Sequence, residues 1–186
     1  MKKYSIILLM ASIFFVGAAS SQVYKSTDAH IRFVSKTDFE EFEAVNHQPT
    51  IAFTNKGKVQ FRVPVNSFEF EKKLMQTHFQ ENYMESSKYP NADFKGSVIE
   101  PENFNLKEGV QKVKVSGIMK MHGVEKEISA TGTIQKNKNE VVMSGNFDVL
   151  LSDYKIAIPK NNINQISNTI TIHFEAKLEP KKAKKK

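Results

Sequence analysis

Apolar and polar residues alternate along most of the chain, in runs that turn residues separate. The run over 58–65 places Val59, Phe61 and Val63 on one face, and the residues between them are mostly polar. A period of two is typical of a strand with one buried face. The pattern predicts eight strands, near residues 29–35, 50–55, 58–65, 92–99, 111–122, 124–135, 140–151 and 169–178.

Three of the intervals between these strands contain residues that favour tight hairpins, at 55–57, 122–123 and 136–139. Consecutive strands should therefore be antiparallel neighbours. Because each strand has one apolar face, two architectures fit the pattern, a β-sandwich and a closed barrel.

Four glycines lie inside predicted strands and fall on the apolar face: Gly96, Gly117, Gly132 and Gly145. Glycine inside a strand weakens it, so four such positions need a reason. One reason is the sharp bending that closes a barrel. The other is that missing side chains leave space for a ligand, and a barrel of eight strands allows either. The glycines favour the barrel, and we predict an all-β, eight-stranded antiparallel β-barrel.

One segment departs from the two-residue period. Over 72–85, Met75, Phe79 and Tyr83 have the spacing of successive helical turns, with Leu74 and His78 beside them. We predict a helix of about 12 residues here. Such an apolar stripe fits simple packing over a barrel end and also fits a gate over a cavity.

The N-terminus has the three-part layout of a secretory signal peptide: Lys2 and Lys3, an apolar run, then small residues. We predict a signal peptide over 1–21 with cleavage after Ala19 or Ser21, a barrel domain over 22–180, and a disordered Lys-rich tail over 181–186. The apolar run is short for a membrane span, so we expect no stable membrane insertion after cleavage. Since the chain has no Cys, it has no disulfides, and a bacterial periplasm or secretion is the expected location.

The formal charge of +7 is concentrated at the two ends of the chain. Of 27 Lys and Arg residues, two lie in the predicted signal peptide and five in the tail, which leaves 20 to balance 20 Asp and Glu. The barrel domain is therefore neutral. A nucleic-acid partner is not indicated, because its binding requires a basic surface.

Catalytic and metal-binding motifs are absent from the sequence. The five His residues do not have the spacing of metal ligands. Glu40 and Glu41 are adjacent, so their side chains point in different directions, and we interpret them as solvated charges in a loop. We therefore expect no enzyme, no metal and no cofactor other than a bound lipid. An enzyme would require His78, Asn82 and Tyr154 to converge at a barrel mouth. The predicted interior is free of charge: Phe61, Val63, Phe94, Val98, Val115, Met119, Ile128, Met143, Phe147, Val149, Ile170, Ile172 and Phe174.

Three blocks resemble the YceI-like proteins, a family of bacterial periplasmic polyisoprenoid-binding barrels. The block over 75–94 is similar to the family's helix, Tyr-Pro turn and following strand, here with Tyr89 and Pro90. The block over 115–124 resembles its strand and His-Gly-Val turn, and the third block covers 152–156 and continues to the last strand. The resemblance implies a lipocalin-like barrel whose tunnel takes a long isoprenoid or related amphiphile.

We expect the inward-facing residues to bind a small apolar ligand, and we expect no nucleic-acid partner. The chain departs from the family at Lys72 and Lys73, where many members have Arg-Asp, and over 151–155, so its head-group contacts should differ. The alternative is a ligand-free barrel that acts as an interaction or structural protein through its loops or tail. The expected ligand-binding residues are Phe61, Val63, Met75, Phe79, Tyr83, Phe94, Gly96, Val115, Gly117, Met119, Gly132, Met143, Phe147, Tyr154, Ile170 and Ile172.

Overall fold

The computed structural model describes residues 21–101 and 104–181. Apart from Ser21, the predicted signal peptide lies outside the described residues, and so does the tail beyond Lys181. The described chain forms ten strands and one α-helix, in the order β1 Val23–Lys36, β2 Glu41–Asn46, β3 Thr50–Thr54, β4 Lys58–Pro64, β5 Phe68–Phe70, α1 Lys73–His78, β6 Asn91–Val98, β7 Gly109–Met121, β8 Val124–Asn137, β9 Glu140–Leu150 and β10 Thr169–Pro180.

Eight of these strands form a closed antiparallel barrel, in the order β1-β3-β4-β6-β7-β8-β9-β10 and back to β1. The closing pair runs from Tyr24 opposite Pro180 to Ser35 opposite Ile170. All eight are the predicted strands, and the predicted neighbours pair with one another. The hairpin between β7 and β8 has positive φ at both turn residues, +50° at His122 and +74° at Gly123, as a tight two-residue hairpin requires. The predicted barrel is confirmed.

The structure also contains two short strands that the sequence did not predict, β2 and β5, and they extend the sheet next to β1. β1 pairs with β3 over Val23–Lys25 and with β2 over 31–36, and β2 in turn pairs with β5. β2 escaped prediction because its inward face contains Asn46, which is fully buried and donates from Nδ2 to the Pro64 carbonyl at 2.7 Å. Glu41 is not the loop charge that we predicted. It begins β2 and pairs with Lys36 at 2.6 Å.

A β-bulge explains why β1 begins earlier than its predicted start. The register with β10 shifts between Ser26 and Asp28, which leaves Thr27 as the extra residue. Tyr24 is buried before the bulge, and Ala29 and Ile31 are buried after it. The alternation of buried and exposed residues therefore changes phase within β1. A single phase of alternation fits only the residues after the bulge, which is where the predicted strand begins.

The strand glycines allow close approach of backbones. Gly96 lies opposite Gly117, and a Cβ on Gly117 would lie 2.3 Å from the Lys95 carbonyl oxygen. A Cβ on Gly132 would lie 2.6 Å from the Ser144 carbonyl oxygen. At Gly96 and Gly117 neighbouring backbone atoms already occupy the position of a side chain, whereas Gly132 also borders the space inside the barrel. Barrel closure is the explanation that the geometry supports.

The barrel has a packed end, which we call the base, beside the hairpins at 55–57 and 138–139. Its core consists of buried apolar side chains from strands all round the barrel. These include Ile51, Phe53, Ile134, Val141 and Leu178, each with 0% of its surface exposed. These buried residues leave no opening at the base. Any space for a ligand must therefore lie between the base and the other end of the barrel.

The other end, which we call the mouth, is covered by three segments: α1 with the residues that follow it, the β1–β2 connection over 37–40 and the β9–β10 connection over 151–168. α1 is shorter than predicted and continues into one π-helical stretch, Phe79–Tyr83. Tyr83 Oη accepts a hydrogen bond from Asn162 Nδ2 at 3.0 Å, and Thr37 Oγ1 donates to the Asn164 carbonyl at 2.8 Å. Side-chain contacts thus join the three covering segments. In the part of the chain that the structure describes, no helix has both the length and the apolar character needed to span a membrane.

Candidate ligand-binding cavity

A cavity of about 450 Å³ occupies the barrel between the base and the mouth. Inward side chains of the barrel strands form most of its wall, and they are chiefly Val, Ile, Met and Phe. At the mouth, Lys72, His78 and Gln165 are exposed and also border the cavity. The volume lies within the range of small-molecule sites in proteins, and the predominantly apolar wall is typical of them.

All but three of the expected ligand-binding residues line this cavity. The exceptions are Gly96, Gly117 and Tyr154. Gly96 and Gly117 lie against each other's backbone, so they present no surface to the lumen. Tyr154 is 2% exposed and packs in a side cluster with Val65, Met84 and neighbouring residues. Whether the remaining residues bind a ligand stays a prediction.

An aromatic cluster that the sequence did not reveal forms the wall beside the mouth. Phe79 lies 5.5 Å from Phe33, 5.6 Å from Phe68 and 5.1 Å from Phe70, measured between ring centroids. All four rings line the cavity, as does Phe42 of β2. Phe33 lies in a predicted strand, and the alternation of that strand indicates that Phe33 points inward. Phe68 and Phe70 belong to β5, whose three residues are too few to show a period.

A second aromatic group lies deeper in the lumen. The Phe61 ring is 5.1 Å from the Phe174 ring at an interplanar angle of 81°, and 6.3 Å from the Phe94 ring at 71°. Edge-to-face contacts at such distances are favourable for aromatic pairs. We call Phe61, Phe94 and Phe174 the phenylalanine bridge.

The ionisable groups of the cavity lining are Glu40, Lys72, His78 and Asp93. The first three belong to segments around the mouth, and the Asp93 carboxylate pairs with Arg62 Nε at 2.8 Å. The cavity wall below the mouth therefore carries no unpaired charge, and a charged group held there would face a desolvation cost of several kcal/mol. Lys72, His78 and Gln165 at the mouth are the polar residues nearest the covering segments, and Thr131, Thr133 and Ser144 of β8 and β9 also border the cavity.

Three exposed apolar side chains surround the mouth, one on each covering segment. Phe39 is 79% exposed, Leu74 66% and Ile163 63%. Each is next in the chain to a residue that lines the cavity. Leu74 therefore points away from the lumen, although the sequence placed it beside the helical stripe.

His122 does more than occupy a turn. Its ring is held between the Tyr154 carbonyl oxygen, 2.9 Å from Nδ1, and Glu85 Oε2, 2.9 Å from Nε2, and it lies edge-on to Tyr89. These contacts tie the β7–β8 hairpin to the backbone of Tyr154. Burial, and secondarily the charge of Asp153, raises the pKa of the Tyr154 hydroxyl above its ordinary value. That hydroxyl is buried without a hydrogen-bond partner among the described residues.

The residues on which an enzyme would depend do not converge. His78 borders the cavity, whereas Asn82 and Tyr154 do not. Within 21–101 and 104–181, no group of three or more His, Asp or Glu residues is arranged to hold a metal ion. The arrangement can therefore enclose an apolar chain.

Several solved structures have the same fold. A polyisoprenoid-binding domain from Saccharophagus degradans matches with a TM-score of 0.74 at 18% identity, covering 85% of this chain and 98% of that one. BcnA from Burkholderia cenocepacia matches with a TM-score of 0.67 at 18% identity, over 81% and 95% of the two chains. The Campylobacter jejuni YCEI protein matches with a TM-score of 0.55 at 18% identity, over 98% and 100%. At this identity the likenesses establish the fold.

No curated protein matches the chain. The YceI-like domain, in contrast, matches residues 16–178, which cover the barrel strands up to the last two residues of β10 and include the segments that cover the mouth. This match agrees with the blocks around Tyr89, His122 and Tyr154 in the sequence. The chain belongs to the YceI-like family.

Proposed function

We propose that this protein is an exported binding protein that holds one long apolar or amphiphilic chain, such as a polyisoprenoid or fatty acyl lipid, inside its barrel. The observation that carries the proposal is the cavity of about 450 Å³, whose wall is chiefly apolar and whose mouth carries Lys72, His78 and Gln165. An apolar cavity is poorly hydrated, because water there lacks hydrogen-bond partners. An apolar chain fills the same space without that cost.

The distribution of polar groups supports the same function. The ligand's hydrocarbon part would contact the walls of the strands, and its head group would lie near Lys72, His78 and Gln165 at the mouth. Burial of apolar surface contributes about 25 cal/mol per Å², so most of the affinity would come from the hydrocarbon part. The Saccharophagus degradans domain of the same fold is described as polyisoprenoid-binding, which supports this class of ligand here.

The proposed location is the bacterial periplasm, or the medium after secretion. It rests on the predicted signal peptide over 1–21 and on the absence of Cys. We propose binding rather than catalysis because His78, Asn82 and Tyr154 are not brought together at the cavity.

The test is native mass spectrometry of the protein purified from its own cells, with solvent extraction to identify what is bound. Ala130 lines the cavity, whereas its neighbour Ser129 is exposed on the outer face of β8. We expect Ala130→Phe to reduce the bound lipid and the matched Ser129→Phe to retain it. A wild-type protein that is always bare, or an Ala130→Phe protein with unchanged lipid, would refute the proposal.

A further inference from the structure

The Phe61 and Phe174 rings meet across the lumen rather than along the wall. β4 and β10 share no hydrogen bonds, because β3 and β1 lie between them on one side and four strands lie between them on the other. Their rings are nevertheless 5.1 Å apart. A contact between non-neighbouring strands at this distance must span the inside of the barrel.

Two strand glycines determine where the rings of the phenylalanine bridge lie. A Cβ on Gly96 would lie 2.7 Å from Cζ of Phe94, and a Cβ on Gly145 would lie 2.9 Å from Cε1 of Phe174. The rings therefore occupy the space that an ordinary side chain would take. Since the backbone provides this space, the bridge is a built feature of the barrel and not a chance orientation of loose side chains.

The bridge lies partway along the cavity. Toward the mouth the wall includes Phe33 and Phe79, and toward the base it includes Val59 and Met143. We propose that the phenylalanine bridge sets the length of chain that the cavity accepts, because the far end of the hydrocarbon stops against the Phe61 and Phe174 rings. This inference rests on the proposed function and adds a limit on ligand size.

The cavity volume defines the class of ligand. A cavity of about 150 Å³ that binds benzene provides about 25 Å³ per carbon. At that scale, the whole space of about 450 Å³ corresponds to a chain of about 18 carbons, and the part between the mouth and the bridge holds fewer. The ligand is therefore a single fatty acyl chain or a short isoprenoid, and a polyprenyl chain of twice that length does not fit inside.

Delipidated protein is tested by native mass spectrometry against saturated fatty acids of graded length, from about 10 to 24 carbons, and against farnesol and geranylgeraniol. Phe61→Leu and Phe174→Leu each remove part of the bridge. The matched control is Phe53→Leu, since Phe53 is fully buried in the base, packs against Phe104 and does not line the cavity. Circular dichroism confirms that each variant is folded.

The longest chain that wild-type protein binds is expected to be shorter than about 18 carbons, because the bridge stops the chain before it reaches the base. Either bridge variant should extend this limit by at least about two carbons, and Phe53→Leu should leave it unchanged. The same limit in both folded bridge variants as in wild type would overturn the assignment of the bridge while leaving the carrier function standing. Binding of neither probe series by wild type would instead remove the proposed function, and the limit on length with it.

Discussion

Gly117→Ala tests whether the strand glycines serve backbone packing. The added Cβ would lie 2.3 Å from the Lys95 carbonyl oxygen and 2.4 Å from the Gly96 Cα, whereas ordinary contacts of this kind begin at 3.4 Å. Both opposing atoms belong to the backbone, so no side-chain rotation relieves the contact. β6 must move away from β7 by about 1 Å, from an ordinary strand spacing of about 4.8 Å.

Such a movement lengthens the hydrogen bonds next to Gly117, each of which contributes about 1 kcal/mol. Overpacking adds about 1 to 3 kcal/mol, and the reduced freedom of the unfolded chain returns up to about 1 kcal/mol. We therefore expect Gly117→Ala to lower the free energy of unfolding by about 3 kcal/mol. For a domain of this size the melting temperature should fall by about 6 to 12 °C.

Gly109→Ala is the matched control. A Cβ at Gly109 would meet no atom within 4 Å, although the residue has φ of +89°, and such a backbone conformation costs Ala about 1 to 2 kcal/mol. Urea unfolding followed by circular dichroism gives both free energies. If Gly117→Ala costs no more than Gly109→Ala, then β6 and β7 are not in close contact at this point and the explanation from packing is incorrect.

Three further outcomes follow from particular residues. Tyr154→Phe should raise the free energy of unfolding by about 1 kcal/mol in urea denaturation, because it removes a buried hydroxyl that has no partner among the described residues; a loss of stability would show that this hydroxyl is hydrogen-bonded in solution. Hydrogen bonds from the Lys136 ammonium and the Lys138 backbone N–H lower the pKa of Glu108. The stability that Glu108 adds is therefore complete above its unfolded-state pKa of about 4.3 and is lost as the pH falls through the lower folded-state pKa. Glu108→Gln should accordingly have a lower urea midpoint than wild type at pH 7, and the difference should disappear once the pH is well below the folded-state pKa; a difference that persists in acid would contradict this. Gly132→Leu should lower the melting temperature even without ligand, because its Cβ would lie 2.6 Å from the Ser144 carbonyl oxygen, and an unchanged melting temperature would favour the interpretation of Gly132 as ligand space.

The barrel was predictable from the sequence because most strands keep one phase of alternation from end to end. β1 was only partly predictable, since the bulge at Thr27 reverses the phase within the strand. The buried Asn46 interrupts the apolar face of β2. Its amide is satisfied by the Pro64 carbonyl, a partner that no local pattern reveals.

Most of the cavity wall followed from strand faces, because alternation shows which side chains point inward. Alternation does not show what lies opposite a residue. The close approach of Gly96 and Gly117 depends on the register of β6 and β7, and the contact of Phe61 with Phe174 depends on barrel closure. Both are long-range properties of the fold, and for this reason the glycines were open to two interpretations.

The pairing of β1 with β10 also has a kinetic consequence. The lumen is complete only when Val23–Lys36 meets Thr169–Pro180, and these strands lie at opposite ends of the described chain. Contacts of such long sequence separation make folding slow, so a nascent chain lacks its closing partner until the last strand has been synthesised. Near the same junction the Lys181 N–H donates to the Val23 carbonyl at 2.8 Å. A circular permutant that joins these two strands by a short linker and opens the hairpin at 138–139 would bring the closing pair together early, and it should fold faster around the same lumen.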